Sequence, residues 1–218
     1  MLARWRTLWR RRRSHHRAGQ CLKDFWGAGQ GTKTSDYDGY IVIDCEMTGL
    51  DVVKDELLSI GWVRLGPHGV EMQSVRHRLI KSGALVGQSA IIHMIRDCEL
   101  QQGHRIEDVL FDLLSDAKGF LPVFHNASLD LAFLNRAVER AFGAPWWPSY
   151  VDTLLIEKRL LQRHSEVPKS GALTLAQCRR RYHLPAYHGH NAMMDAIATA
   201  ELLLAEIKKG VTISPLWS

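Results

Sequence analysis

Apolar side chains along this 218-residue chain fall into two rhythms. Short continuous apolar runs mark strands buried on both faces, since such strands have no polar face to show. Residues 40–46 (YIVIDCE) and 120–125 (FLPVFH) are of this kind, and a short strand is expected near 149–151. Residues 56–65 (ELLSIGWVRL) and 70–80 (VEMQSVRHRLI) are two more strands, joined by the turn GPHG. Elsewhere the apolar positions recur at helical spacing. Ile106, Val109, Leu110, Leu113 and Leu114 define an amphipathic helix over 104–118. Further helices are expected over 128–143, with Ser128 as cap and Gly143 as terminator, and over 153–162 and 174–182. A short helix is expected near 88–95, and a long one over about 191–209 that stops at Gly210. Strands that come first in a meander and then alternate with helices argue for a mixed α/β sheet.

This pattern divides the chain into a flexible N-terminal tail and linker (1–38), one domain (39–210) and a short C-terminal tail (211–218). Hydrophobic residues make up 46% and charged residues 23%, which suits a globular domain. No apolar run approaches the ~18 residues of a membrane-spanning helix. The four cysteines, Cys21, Cys45, Cys98 and Cys178, form no close pairs. They fit a reducing, cytoplasmic compartment and argue against a structural zinc site.

The net charge of +5 is unevenly distributed. Residues 1–23 carry eight basic side chains and no acid, which leaves 20 basic against 23 acidic side chains in the rest. The segment MLARWRTLWRRRRSHHRAGQ sets Leu2, Trp5, Leu8 and Trp9 at helical spacing among arginines. Four roles remain open for it: a nucleic-acid arm, a helix for an anionic membrane, a docking segment for a partner, and a targeting peptide. A slightly acidic body that handles nucleic acid needs another source of positive charge, such as divalent metal.

Candidate chemistry begins with Asp44 and Glu46. Side chains two apart on a strand project to one face, so these carboxylates sit side by side at the end of an apolar strand. Adjacent desolvated anions repel unless a cation lies between them, and hard divalent ions prefer oxygen ligands. Asp130 lies in the first turn of a helix that follows a buried strand, where it also suits the helix dipole. Asp195 lies early in the last long helix. His190 precedes it by five residues, about 500° of helix, and is therefore expected in the loop or cap before that helix. Each feature alone has an ordinary structural reading.

Taken in order, IDCEMTG, HNASLD and HGHNAMMD resemble the three motifs of the DEDDh 3′–5′ exonucleases, in particular the DNA polymerase III epsilon-like branch, over about residues 39–209. The resemblance implies a ribonuclease H-like fold, a five-stranded mixed sheet flanked by helices. It implies two divalent ions, Mg²⁺ or Mn²⁺, held by Asp44, Glu46, Asp130 and Asp195, with His190 as general base. It places Met47, Thr48, Leu50, His93, Asn126 and Leu129 near the terminal nucleotide, with Thr48 at the backbone or 3′-hydroxyl and Leu50 as a wedge. Asn126 equally suits bracing of its loop. The implied activity is release of nucleoside monophosphates from single-stranded DNA 3′ ends, in a proofreading- or repair-like role. Two alternatives stand beside it. EMTGLD also resembles oligoribonuclease, which would mean an RNA-trimming enzyme, and a catalytically silent nucleic-acid-binding scaffold would keep the fold alone. Only nine residues follow the last helix, with no evident polymerase-binding extension, which favours a stand-alone or accessory nuclease. Trp146 and Trp147 suit anchoring a loop or stacking bases. The basic cluster Arg179, Arg180 and Arg181, with Arg163 and Lys169, suits a solvated face or a path for the strand.

Overall fold

The computed structural model describes residues 2–28, 31–81, 101–163, 168–187 and 189–217. The helix expected near 88–95 lies outside them. Among the described residues six strands form one sheet: β1 (Tyr40–Met47), β2 (Leu57–Gly66), β3 (Gly69–Leu79), β4 (Leu121–Phe124), β5 (Ser149–Asp152) and β6 (Leu216–Trp217). Their order is β3-β2-β1-β4-β5-β6. The first three are antiparallel, β4 and β5 run parallel to β1, and β6 returns antiparallel to β5. The expected five strands are thus joined by a sixth. Leu216 and Trp217, read as tail, pair with Tyr150 and Ser149 and give the exposed edge of β5 its hydrogen bonds.

Central β1 is apolar on both faces because both are covered. Ile43, Cys45 and Met47 belong to one core with α3 (Ile106–Ala117) and α4 (Ala127–Phe142). Val42 belongs to the other, with Ala196, Ala200 and Leu203 of α7 (Ala192–Lys208) and Ile156 of α5 (Thr153–Arg163). The small residues of α7 let it lie close on β1 and β2. Gly61 marks the closest approach: a Cβ there would stand 2.3 Å from the Ala192 carbonyl. The short α6 (Leu175–Arg181) is capped by the Thr174 hydroxyl, which accepts from the Gln177 N–H.

Residues expected to form a flexible N-terminal tail and linker are largely helical. They give α1 (Leu2–Ser14) and α2 (Gln20–Gly27). Leu22, Phe25 and Trp26 recur at helical spacing and are buried in the α3–α4 core. The Trp26 indole N–H donates to the Trp146 carbonyl at 2.8 Å, and Phe25 meets Trp146 edge-on at 5.4 Å. No helix among the described residues is long and apolar enough to cross a membrane.

Candidate active site

Asp44 and Glu46 project together from the carboxyl end of β1, as their alternation requires. α7 crosses that end at Gly61, which faces Asp44 in the β1–β2 register. This crossing delivers Asp195 from the helix's first turn. Carboxylate oxygens of Asp44, Glu46 and Asp195 lie within 4.8 Å of one another. Asp130 enters from α4, on the other face of the sheet. Its Oδ1 accepts from the Cys45 N–H at 3.1 Å, which tethers it to β1. It stands outside the close group of three but lines the same cavity.

Burial and mutual repulsion make this cluster costly as bare anions. Burial raises Asp44 well above the ordinary aspartate range, and Asp130, Asp195 and Glu46 add to it. Glu46 is pushed up to about 8 by burial and then by Asp195 and Asp130. Asp130 rises to about 7 through burial, opposed by hydrogen bonds from its own N–H and from Cys45. Among the described residues no Lys or Arg is salt-bridged to Asp44, Asp130 or Asp195. An all-oxygen donor set with unbalanced charge fits hard divalent cations.

His190 lies before α7, as expected, with a left-handed backbone (φ 67°). Its N–H donates to Asp195 Oδ2 at 2.8 Å, and its ring is exposed at the cavity wall. Asn191 caps α7 by accepting from the Met194 N–H. Asp195 and the His190 backbone therefore share one cap.

The loop before α4 is held by Asp152. This side chain caps α5 through the Leu154 N–H at 2.9 Å and also accepts the Asn126 and Ala127 N–H groups, both at 3.0 Å. Ser128, expected as the cap of α4, is not: Asn126 occupies that position in a left-handed conformation (φ 72°), and Asp152 satisfies the first N–H groups. Ser128 instead donates to Asn126 Oδ1 at 3.3 Å. His125 is locked at both nitrogens. Nε2 donates to the Leu173 carbonyl at 2.9 Å, and Nδ1 meets the Thr153 hydroxyl at 2.8 Å. Burial lowers its pKa, so it is a neutral strut.

The cavity encloses about 800 Å³. Met47, Asn126 and Leu129 line it. Thr48 and Leu50 do not. The Thr48 hydroxyl donates to Asp55 Oδ1 and accepts from the Glu56 N–H, both at 3.0 Å, while Leu50 is 78% exposed on the adjoining loop. His93 lies outside the described residues. Lys158 and Tyr187 were missed. Lys158 lines the cavity from α5. Tyr187 hydrogen-bonds Asp195, and burial together with that anion raises its pKa. Neither belongs to a motif, although Tyr187 stands only three residues before His190. In the expected basic cluster, Arg179 and Arg181 are structural. Arg179 is buried on the Ala198 carbonyl at 2.6 Å, and Arg181 pairs with buried Glu157. Lys169 does reach the cavity.

Residues 41–203 match the RNase_T family of exonucleases. The chain is 32% identical over 180 residues to the PolC-type DNA polymerase III of Thermotoga maritima, covering 81% of this chain and 12% of that protein. It is 26% identical over 171 residues to the PolC-type enzyme of Staphylococcus aureus, covering 78% of this chain and 11% of that one. The chain thus spans about one eighth of the length of these relatives. Among solved structures, the nuclease domain of 3′hExo, described as a DEDDh family member bound to rAMP, superposes with a TM-score of 0.69 at 14% identity. That match covers 83% of this chain and 96% of the domain. Exonuclease I of E. coli in complex with a dA16 oligonucleotide gives 0.66 at 14% identity, over 78% of this chain and 41% of that one. These likenesses identify the fold as ribonuclease H-like. With its motifs, its acid cluster and its match to the family over most of its length, this chain belongs to the RNase_T exonucleases of the DEDDh type.

Proposed function

We propose that the chain is a metal-dependent 3′–5′ exonuclease that releases nucleoside monophosphates from single-stranded DNA ends, in a proofreading- or repair-like role. The convergence of Asp44, Glu46 and Asp195 within 4.8 Å, beside an exposed imidazole, carries this reading. Asp44, Glu46, Asp130 and Asp195 are the residues that would hold two divalent ions, Mg²⁺ or Mn²⁺. Such ions supply charge for the anionic phosphate and for the attacking and leaving oxygens. His190 accepts the proton of the attacking water. The hydrogen bond from its backbone N–H to Asp195 holds the His190 backbone beside the acids. Met47 and Leu129 offer an apolar wall to the terminal base, Asn126 a polar edge, and Lys158 and Lys169 charge to the phosphates behind it. Likeness to PolC-type enzymes makes a polymerase the protein partner to test. The free Cys21, Cys45 and Cys178 support a cytoplasmic setting.

The test is incubation of 5′-labelled DNA and RNA oligomers with Mg²⁺, Mn²⁺ or EDTA. The expected outcome is a ladder that shortens DNA from its 3′ end with metal and stops in EDTA. A ladder on RNA alone would replace the DNA assignment with RNA trimming, and cleavage that persists in EDTA would overturn the metal requirement.

A further inference from the structure

The arginine-rich N-terminus has no part in the site above, yet it is built into the fold. α1 turns Thr7, Arg11 and Ser14 inward, all at most 5% exposed. Arg11 Nε donates to the Trp147 carbonyl at 3.0 Å, and its guanidinium lies 5.9 Å from the Trp26 ring. The outward side carries Trp5 at 69% and Trp9 at 58% exposure, with Arg6, Arg12 and Arg13 exposed beside them and no acid on the helix. Two exposed indoles on a docked helix are apolar area that folding leaves uncovered.

Trp147 faces the same region. Its φ of 45° is a strained conformation for a residue with a Cβ. Both its backbone groups are pinned, the N–H to Asn135 Oδ1 at 2.8 Å and the carbonyl to Arg11. The outcome is an indole held at the edge of a groove of about 470 Å³. Trp9, Arg10, Arg13, His16 and Arg17 line the rest of it. Arg13 lies 4.6 Å from the Trp9 ring and Arg10 5.8 Å from the Trp147 ring.

We propose that this groove binds a single-stranded nucleic-acid segment, with bases stacked on Trp9 and Trp147 and phosphates on Arg10, Arg13 and Arg17. Flat rings interleaved with guanidinium groups in a concave site fit a flexible polyanion. A bilayer would meet a convex apolar stripe from one helix, such as Trp5 and Trp9 offer, whereas the groove sets Trp9 and Trp147, from two separate elements, around one concavity. The groove lies at the amino end of β5, and Asp152, at the carboxyl end, holds the loop of the acid site. The ends of β5 are about 10 Å apart, and no residue that lines the groove lines the acid cavity. The groove is a second contact that only longer strands reach. The ligand class follows from the groove itself, while its service to the nuclease rests on the activity proposed above.

The experiment compares the full chain with its W9A/R13A variant, whose two side chains are largely outside the core. Binding of a 5′-fluorescein 30-mer of thymidylate is followed by anisotropy in EDTA across a salt series. Hydrolysis of a trinucleotide, about 7 Å long when stacked, is followed with metal. The expected result is at least tenfold weaker 30-mer binding, a log–log salt slope shallower by about 0.7, and unchanged trinucleotide turnover. Unchanged 30-mer affinity in a variant with wild-type circular dichroism would overturn the proposal. So would wild-type binding to phosphatidylserine vesicles with no binding to the 30-mer. If neither protein cleaves anything but the 30-mer affinities still differ, the groove stands and the catalytic reading falls.

Discussion

Asp44, Glu46, Asp130 and Asp195 come from three separate elements, and burial raises the first three together around one cavity. A lone raised carboxyl is common at a strand end, whereas several raised together around one cavity make a fitting donor set for a divalent cation. His190 stands apart from them in exposure. Its side chain is exposed, so removing it leaves no cavity and orphans no partner among the described residues. His190→Ala is therefore expected to lower kcat by about 10²–10⁴, with KM within a few-fold and the melting temperature unchanged. Steady-state kinetics on a labelled oligomer check this, and equal losses in kcat and binding would contradict the base role. The motif residues were legible because strand alternation and helix phase fix their direction locally. The roles of Thr48 and Leu50 were not, because a loop can turn a side chain either way, and here Asp55 and Glu56 claim the Thr48 hydroxyl.

Secondary-structure elements set how these residues meet. β1 supplies two acids, α4 one and α7 the fourth, and α7 reaches its place only because Gly61 has no side chain. Gly61→Ala would drive a methyl group into the Ala192 backbone, which cannot rotate away. The cap carrying Asn191, His190 and Asp195 must then lift. The expected outcome is destabilisation of about 1–3 kcal/mol and loss of most activity. Denaturant unfolding and turnover check this, and wild-type values for both would refute the close approach. Asp152 performs an analogous task by serving α5 and the loop before α4 at once. A sequence shows such an aspartate as a helix cap; its second set of partners is 25 and 26 residues away and appears only when β4 and β5 lie side by side.

In the whole molecule, a further buried acid lies outside the site. Glu206 of α7 is fully buried, and neither carboxylate oxygen has a hydrogen-bond partner among the described residues. Burial, then Glu157 and Asp152, push it up to about 9. The folded chain thus keeps a neutral Glu206 where the unfolded chain ionises near 4.3. This contribution to stability is complete below the unfolded value and is lost as pH rises toward 9. Glu206→Gln is expected to flatten that decline and raise the melting temperature at pH 8.5 by several degrees, with little change at pH 4. Scanning calorimetry at both values checks it, and parallel shifts at the two pH values would contradict a neutral Glu206. At this scale the chain by itself determined the mixed sheet, most of its elements and the identity of the acids. Apolar periodicity and side-chain direction are local properties, written within a few residues. Only the tertiary structure decided that the basic N-terminus folds as helices against the core, that the C-terminus adds a strand to β5, and that Lys158 and Tyr187 join the site. Those outcomes depend on which surfaces remain uncovered once the sheet has closed, and contacts across so many residues leave no periodic mark along the chain.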